Sequence, residues 1–132
     1  MSANVNFAST PRNSSGVISA ANTNMDGTGG TRVDIFVAGT NGSRIDSVTI
    51  KGAPATYSTA YNANIVRLWV YDGSNTWLIH EEALPAATDN GTSVISNEVT
   101  IALNLQLPTG YKLQASTHAA QQYHVQAIGG DY

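Results

Sequence analysis

The residues most able to do chemistry sit in a glycine-rich loop and in three histidine neighbourhoods. The segment Asn22-Thr-Asn24-Met-Asp26-Gly27 places oxygen-bearing side chains at every second position before a glycine, as the start of a calcium loop does. The match then fails: the first ligand is an Asn, Asp26 is the single carboxylate, and Val33 stands at the twelfth position where a bidentate Glu belongs. Asx turns that satisfy their own backbone account for the same residues. Gly27, Gly29 and Gly30 lack the Gly-Lys-Ser/Thr ending of a phosphate cradle, and no helix is expected after them.

His118 and His124 approach Asp131, and His80 precedes Glu81 and Glu82. Two imidazoles and a carboxylate could hold a transition metal if the fold gathered them, yet their spacing gives no such instruction, and histidines at strand ends serve as surface hydrogen-bonding groups. Ser116 lies two residues before His118 without a Gly-x-Ser-x-Gly elbow. Adjacent Glu81 and Glu82 would face opposite sides of a strand and could not flank one glycosidic bond. The expectation is therefore a protein with no catalytic residues, no cofactor and no metal, and not an enzyme.

The 132 residues include six Lys or Arg, nine Asp or Glu, a net charge of -3 and no cysteine. That length implies one domain. Without cysteine there is no disulfide framework, thiolate metal cluster or thiol chemistry. Dispersed basic residues give no footprint for a phosphate backbone, so nucleic acid is not an expected partner. No apolar run approaches a membrane span, and the polar first sixteen residues do not resemble an export signal, which leads to the expectation of a soluble protein made in the cytoplasm with no membrane contact. Charged residues make up 11% of the chain, against about 25% in ordinary domains, and 14 Thr, 12 Ser, 12 Asn and 12 Gly supply the polarity instead. A surface so weakly charged suits coverage by partners in an assembly.

The elements that must carry these residues alternate with period two. Asn64 to Tyr71 places Val66, Leu68 and Val70 on one face and Arg67, Trp69 and Tyr71 on the other. The turn Asp72-Gly73-Ser-Asn75 then returns the chain through Trp77 to Glu82, a hairpin. From Val99 to Leu107 every second residue is aliphatic. In Arg32 to Ala38, Val33, Ile35 and Val37 point one way and Phe36 the other. Ile45 is out of phase with Val48 and Ile50, which calls for a bulge or an edge position. Tyr111 to Ser116 and Tyr123 to Ile128 complete about eight strands with no helical stripe. The predicted fold is all-β: an antiparallel two-sheet β-sandwich, jelly-roll-like, over residues 17–132, preceded by an extended N-terminal arm over residues 1–16. Val5 and Phe7 could anchor that arm. Phe36, Trp69 and Tyr71 fall opposite the aliphatic side of their strands and are, with Val5 and Phe7, the candidate interface residues.

Several stretches together resemble small virion structural proteins of tailed bacteriophages. They are Ala20-Ala-Asn-Thr-Asn-Met-Asp-Gly-Thr-Gly29, Asn41-Gly-Ser-Arg-Ile45, Val66-Arg-Leu-Trp-Val-Tyr-Asp-Gly-Ser-Asn75, Leu107-Pro-Thr-Gly-Tyr111, Leu113-Gln-Ala-Ser-Thr-His118 and Ala127-Ile-Gly-Gly-Asp-Tyr132. The resemblance implies a capsid decoration, or cement, protein that binds the major capsid protein or another virion protein. It implies a homotrimer on the capsid surface that stabilises the shell. The alternative is a receptor- or glycan-binding module of a tail fibre or spike that stacks sugars on Trp69 and Tyr71.

Overall fold

A computed structural model of the chain describes residues 8–56, 60–88 and 97–132. Every regular element among them is a β-strand: β1 (Thr10–Ile18), β2 (Val33–Val37), β3 (Ser43–Gly52), β4 (Ala60–Tyr61), β5 (Asn64–Tyr71), β6 (Thr76–Leu84), β7 (Ala87–Thr88), β8 (Glu98–Leu107), β9 (Lys112–Thr117) and β10 (Tyr123–Asp131). Eight of them make two four-stranded antiparallel sheets, sheet A in the order β1-β10-β3-β8 and sheet B in the order β2-β9-β5-β6, while β4 and β7 form a separate two-residue pair. The pairing is nested: β1 joins β10, β2 joins β9, β3 joins β8, and β5 joins β6.

The sheets pack face to face as a β-sandwich. Ile45, Val48, Ile50, Tyr123 and Val125 from sheet A meet Phe36, Val66, Leu68 and Leu113 from sheet B in one apolar core. Bulges keep that core continuous. In β3 the register slips at Asp46 against both neighbours, so Ile45 turns inward together with Val48 and Ile50 and all three are fully buried. The phase break in the sequence is thus a bulge in a central strand. A second slip, at Ile35, overturns the expectation for Phe36. Asp34 pairs with Gln114 but Phe36 with the core residue Leu113, so Phe36 is 0% exposed and Val37 faces solvent. One extra residue reverses the alternation, and Phe36 is core rather than interface.

The arm also needs correcting. Residues 10–16 belong to β1, whose nine residues pair with β10 from Thr10 opposite Asp131 to Ile18 opposite Tyr123 without a slip. The expected boundary at residue 16 falls inside this strand. Its sequence lacks apolar rhythm because backbone hydrogen bonding holds an edge strand, and Ile18 is its one fully buried side chain. Gly16 permits the close approach: a Cβ there would lie 2.8 Å from the Ile35 side chain. Val5 and Phe7 lie outside the described residues.

Arg12 and Asp131 clasp this corner. The Arg12 guanidinium lies 4.1 Å from the Phe36 ring centroid and donates to the Val37 carbonyl at 2.7 Å and to Asp131 Oδ1 at 3.0 Å. Ser43 donates to the same carboxylate oxygen at 2.6 Å. At the opposite end, buried Asn64 donates to Thr117 Oγ1 at 2.8 Å and accepts from the Ala119 N–H at 3.0 Å. The rings of Tyr61 and Tyr123 meet edge to face beside it at 5.3 Å.

The hydrogen bond from Ser43, and then the Arg12 guanidinium, hold the Asp131 carboxyl below its ordinary value. A carboxylate depressed in the folded state stabilises the fold above its unfolded value of about 4, and that contribution is lost as pH falls through the folded value. Asp131→Asn is therefore expected to lower the denaturation midpoint near pH 7, and the gap from the parent should close near pH 2. A gap unchanged across that range in urea melts would contradict the clasp.

Candidate functional site

The two outer faces of the sandwich differ. On sheet B, the alternation of β5 turns Arg67, Trp69 and Tyr71 away from the core, as the sequence implies. Trp69 is nevertheless 0% exposed. The chain between β1 and β2 lies across it: Ala21 bridges to Thr117, the Asn22 N–H donates to the Thr117 carbonyl at 2.8 Å, and the Arg32 guanidinium sits 5.6 Å from the Trp69 ring centroid. The indole N–H donates to Ser116 Oγ at 2.8 Å, so the apolar ring is covered and its polar atom satisfied. Trp69 is not an interface residue. The sugar platform expected of Trp69 with Tyr71 is not formed; Tyr71 is half-buried, with Lys112 Nζ 5.7 Å from its ring centroid.

The glycine-rich loop is this cover. Asn22 Oδ1 accepts from the Asn24 N–H at 3.0 Å, and Asp26 Oδ1 accepts from the Thr28 N–H at 3.0 Å and from its hydroxyl at 2.6 Å. These Thr28 bonds hold the Asp26 carboxyl below its ordinary value. The oxygens are turned inward on the loop's own donors, which is the Asx-turn reading rather than a cation cradle. Gly30 has φ 70°, and a Cβ there would overlap the Asn22 carboxamide.

Beneath the loop lies a residue that sequence reasoning missed. Arg67 is 2% exposed; its Nε donates to Glu81 Oε1 at 2.8 Å and its Nη1 to the Asn22 carbonyl at 3.4 Å. The same Nη1 lies 3.2 Å from His118 Nδ1, whose accepting lone pair requires the ring proton on Nε2. The available signal was an arginine between Val66 and Leu68, a charge on the outward side of a central strand.

The remaining titratable groups are scattered. His118 stands on the outer side of sheet B and His124 on that of sheet A, while Asp131 closes the far end of β10. His80 Nε2 lies 3.7 Å from Glu82 Oε1 on β6. Among the described residues no three of His, Asp and Glu come together as metal ligands.

The outer face of sheet A has no cover among the described residues. Its register makes a grid of three rows across β1, β10, β3 and β8: Asn13, Ile128, Ser47 and Ala102; Ser15, Gln126, Thr49 and Thr100; Val17, His124, Lys51 and Glu98. Gln126 donates to Asn13 Oδ1 at 2.8 Å and the Thr49 and Thr100 hydroxyls meet at 3.1 Å. Lys51 and Glu98 pair at 3.7 Å. With neighbouring strands about 4.8 Å apart, the grid is about 14 Å wide. Its one Lys and one Glu cancel, and it exposes Val17 and Ile128 at 48% and 44%. Such a surface can contact another protein over a broad area without desolvating unpaired charge. The exposed aromatic among the described residues is Trp77 at 56%, whose indole N–H donates to Asp72 Oδ2 at 2.9 Å.

Comparison with known proteins returned no match to any family model, curated protein or solved structure.

Removing Trp77 as Trp77→Phe leaves Trp69 as the single tryptophan, and its emission is expected to be blue-shifted and resistant to acrylamide. Adding Gly30→Ala forces a left-handed backbone onto an alanine at a cost of about 1–2 kcal/mol and should lift the loop, raising quenching. Strong quenching of Trp69 before that second change would contradict the covered face.

Proposed function

We propose that this chain is a bacteriophage virion structural protein, a capsid decoration protein that lies on the major capsid protein or another virion protein and stabilises the head shell as a homotrimer. The observation that carries the reading is the grid on sheet A, uncovered among the described residues and with Lys51 and Glu98 cancelling in charge. A shell protein needs one broad contact repeated over many sites, and modest contacts repeated many times resist expansion together. On the opposite face the protein's own loop covers Trp69 and Arg67, and this favours sheet A as the side for docking. We further read the fold as a jelly roll. What supports this is the nested order, in which the first of the eight sheet strands pairs with the last, the second with the seventh, the third with the sixth and the fourth with the fifth.

Purified protein added to shells that lack it is expected to bind and to raise their resistance to heat or chelator. Thr49→Arg, a charge placed in the middle row, should weaken binding by about tenfold or more, equivalent to about 1.4 kcal/mol, while leaving the melting of the free protein little changed. Shells that neither bind the parent protein nor gain stability would overturn the reading.

A receptor- or glycan-binding module of a tail fibre or spike is the second reading, and Trp77 is what favours it. More than half of that ring is exposed at the start of an edge strand. On this reading a glycan array gives saturable binding that Trp77→Ala abolishes; an array blank with the parent protein would remove it.

A further inference from the structure

The two lateral sides of the sandwich are unlike. On one side β1 packs on β2 and closes the core. On the other lie the edge strands β6 and β8, and there the side chains turned toward the core stay partly open. Trp77 is opposite the inward Val70 yet 56% exposed. Val99 and Leu105 are opposite the fully buried Ile50 and Ile45, yet both are only half-buried, as is Leu103. His80 shares this side, opposite the core residue Leu68, and its Nε2 has no hydrogen-bond partner. The result is a mouth along β6 and β8 whose open apolar side chains are Trp77, Val99, Leu103 and Leu105, with His80 and Glu82 on its β6 wall; among the described residues no strand pairs with the outer edge of β8.

The sequence contains a segment of matching character. Residues 1–7 read Met-Ser-Ala-Asn-Val-Asn-Phe, so Met1, Ala3, Val5 and Phe7 alternate strictly with Ser2, Asn4 and Asn6. That is the pattern of a strand with one apolar face. We propose that residues 1–7 of one copy add to the β8 edge of a second copy, extending its sheet A and placing their apolar side chains in its open mouth.

Reach decides between a copy's own segment and its neighbour's. The described chain begins at Ala8, just ahead of β1, on the side of sheet A opposite β8. Crossing three strand spacings takes about 14 Å. Seven extended residues span about 23 Å at most, which leaves about 9 Å, fewer than three residues, to lie along β8. A copy's own segment therefore cannot bring all four apolar side chains into its mouth, whereas a neighbour's can. The edge of β8 suits strand addition, since Glu98 is the single charge in its ten residues. On β6, by contrast, Glu81 and Glu82 oppose pairing. Donor segment and acceptor edge lie on opposite sides of the molecule, so the contact is heterologous, the kind that builds a ring when its rotation closes, as the proposed homotrimer requires. This deepens the homotrimer part of the proposed function and stands apart from binding to a shell.

The test uses the full chain. Val5→Asp with Phe7→Asp alters residues outside the described sandwich and should give a folded monomer by light scattering, whereas the parent assembles. Because the chain has no cysteine, a Val5→Cys chain mixed with a Leu105→Cys chain should give an interchain disulfide under mild oxidation. A monomeric parent, an assembly that survives the double aspartate change, or a Val5→Cys/Leu105→Cys chain that bridges only within itself would overturn the inference. Mass and cross-link are read without shells, so failure here is distinguishable from failure of shell binding.

Discussion

The outer side of sheet B depends on the burial of one cation. A guanidinium withdrawn from water without partners costs several kcal/mol, so Arg67 can occupy a central strand only if other elements bring it acceptors. Glu81 does so from β6, the Asn22 carbonyl from the loop between β1 and β2, and His118 from the end of β9. Three chain segments, one the hairpin partner and two remote in sequence, are thereby fixed around one side chain. The loop anchored at Asn22 is the same one that covers Trp69, so the closure of this face and the pairing of Arg67 are one structural event.

The hairpin register depends on it as well. From the turn, Tyr71 pairs with Thr76, Val70 with Trp77 and Trp69 with Leu78, and continuing that count would set Arg67 opposite His80. The bulge at Ile79 moves the pairing by one residue and delivers Glu81 instead. The bulge also places His80 and Glu82 on the inner side of an edge strand, where charged groups discourage indiscriminate strand pairing. One inserted residue thus serves the buried ion pair and the open side together.

The outer face of sheet A is the one left uncovered among the described residues, and the proposed shell contact rests on it. Sheet A presents hydroxyls, amides and small apolar groups that already pair along their rows, with one ion pair whose charges cancel. Low charge is a liability for a freely diffusing monomer and an advantage at an interface, because little charge need be desolvated on contact. The composition that looked unusual in the sequence has its structural counterpart in this grid.

The sequence by itself determined the strand content, the hairpin at Asp72–Asn75, the alternation of Val99 to Leu107 and a phase break at Ile45 that called for a bulge or an edge position, because period two and turn chemistry are local properties of the chain. It favoured Asx turns over a cation cradle in the glycine-rich loop, and the structure adds that the loop's oxygens bond to its own donors. It could not show that Phe36 turns inward, since a bulge moves every later side chain to the other face with no residue type announcing it. Nor could it show that Trp69 lies under a loop some forty residues earlier in the chain, or that residues 10–16 form a strand held by its backbone. The partners of β1 and of Arg67 come from distant segments, and only the nested pairing of the two sheets brings them within hydrogen-bonding range.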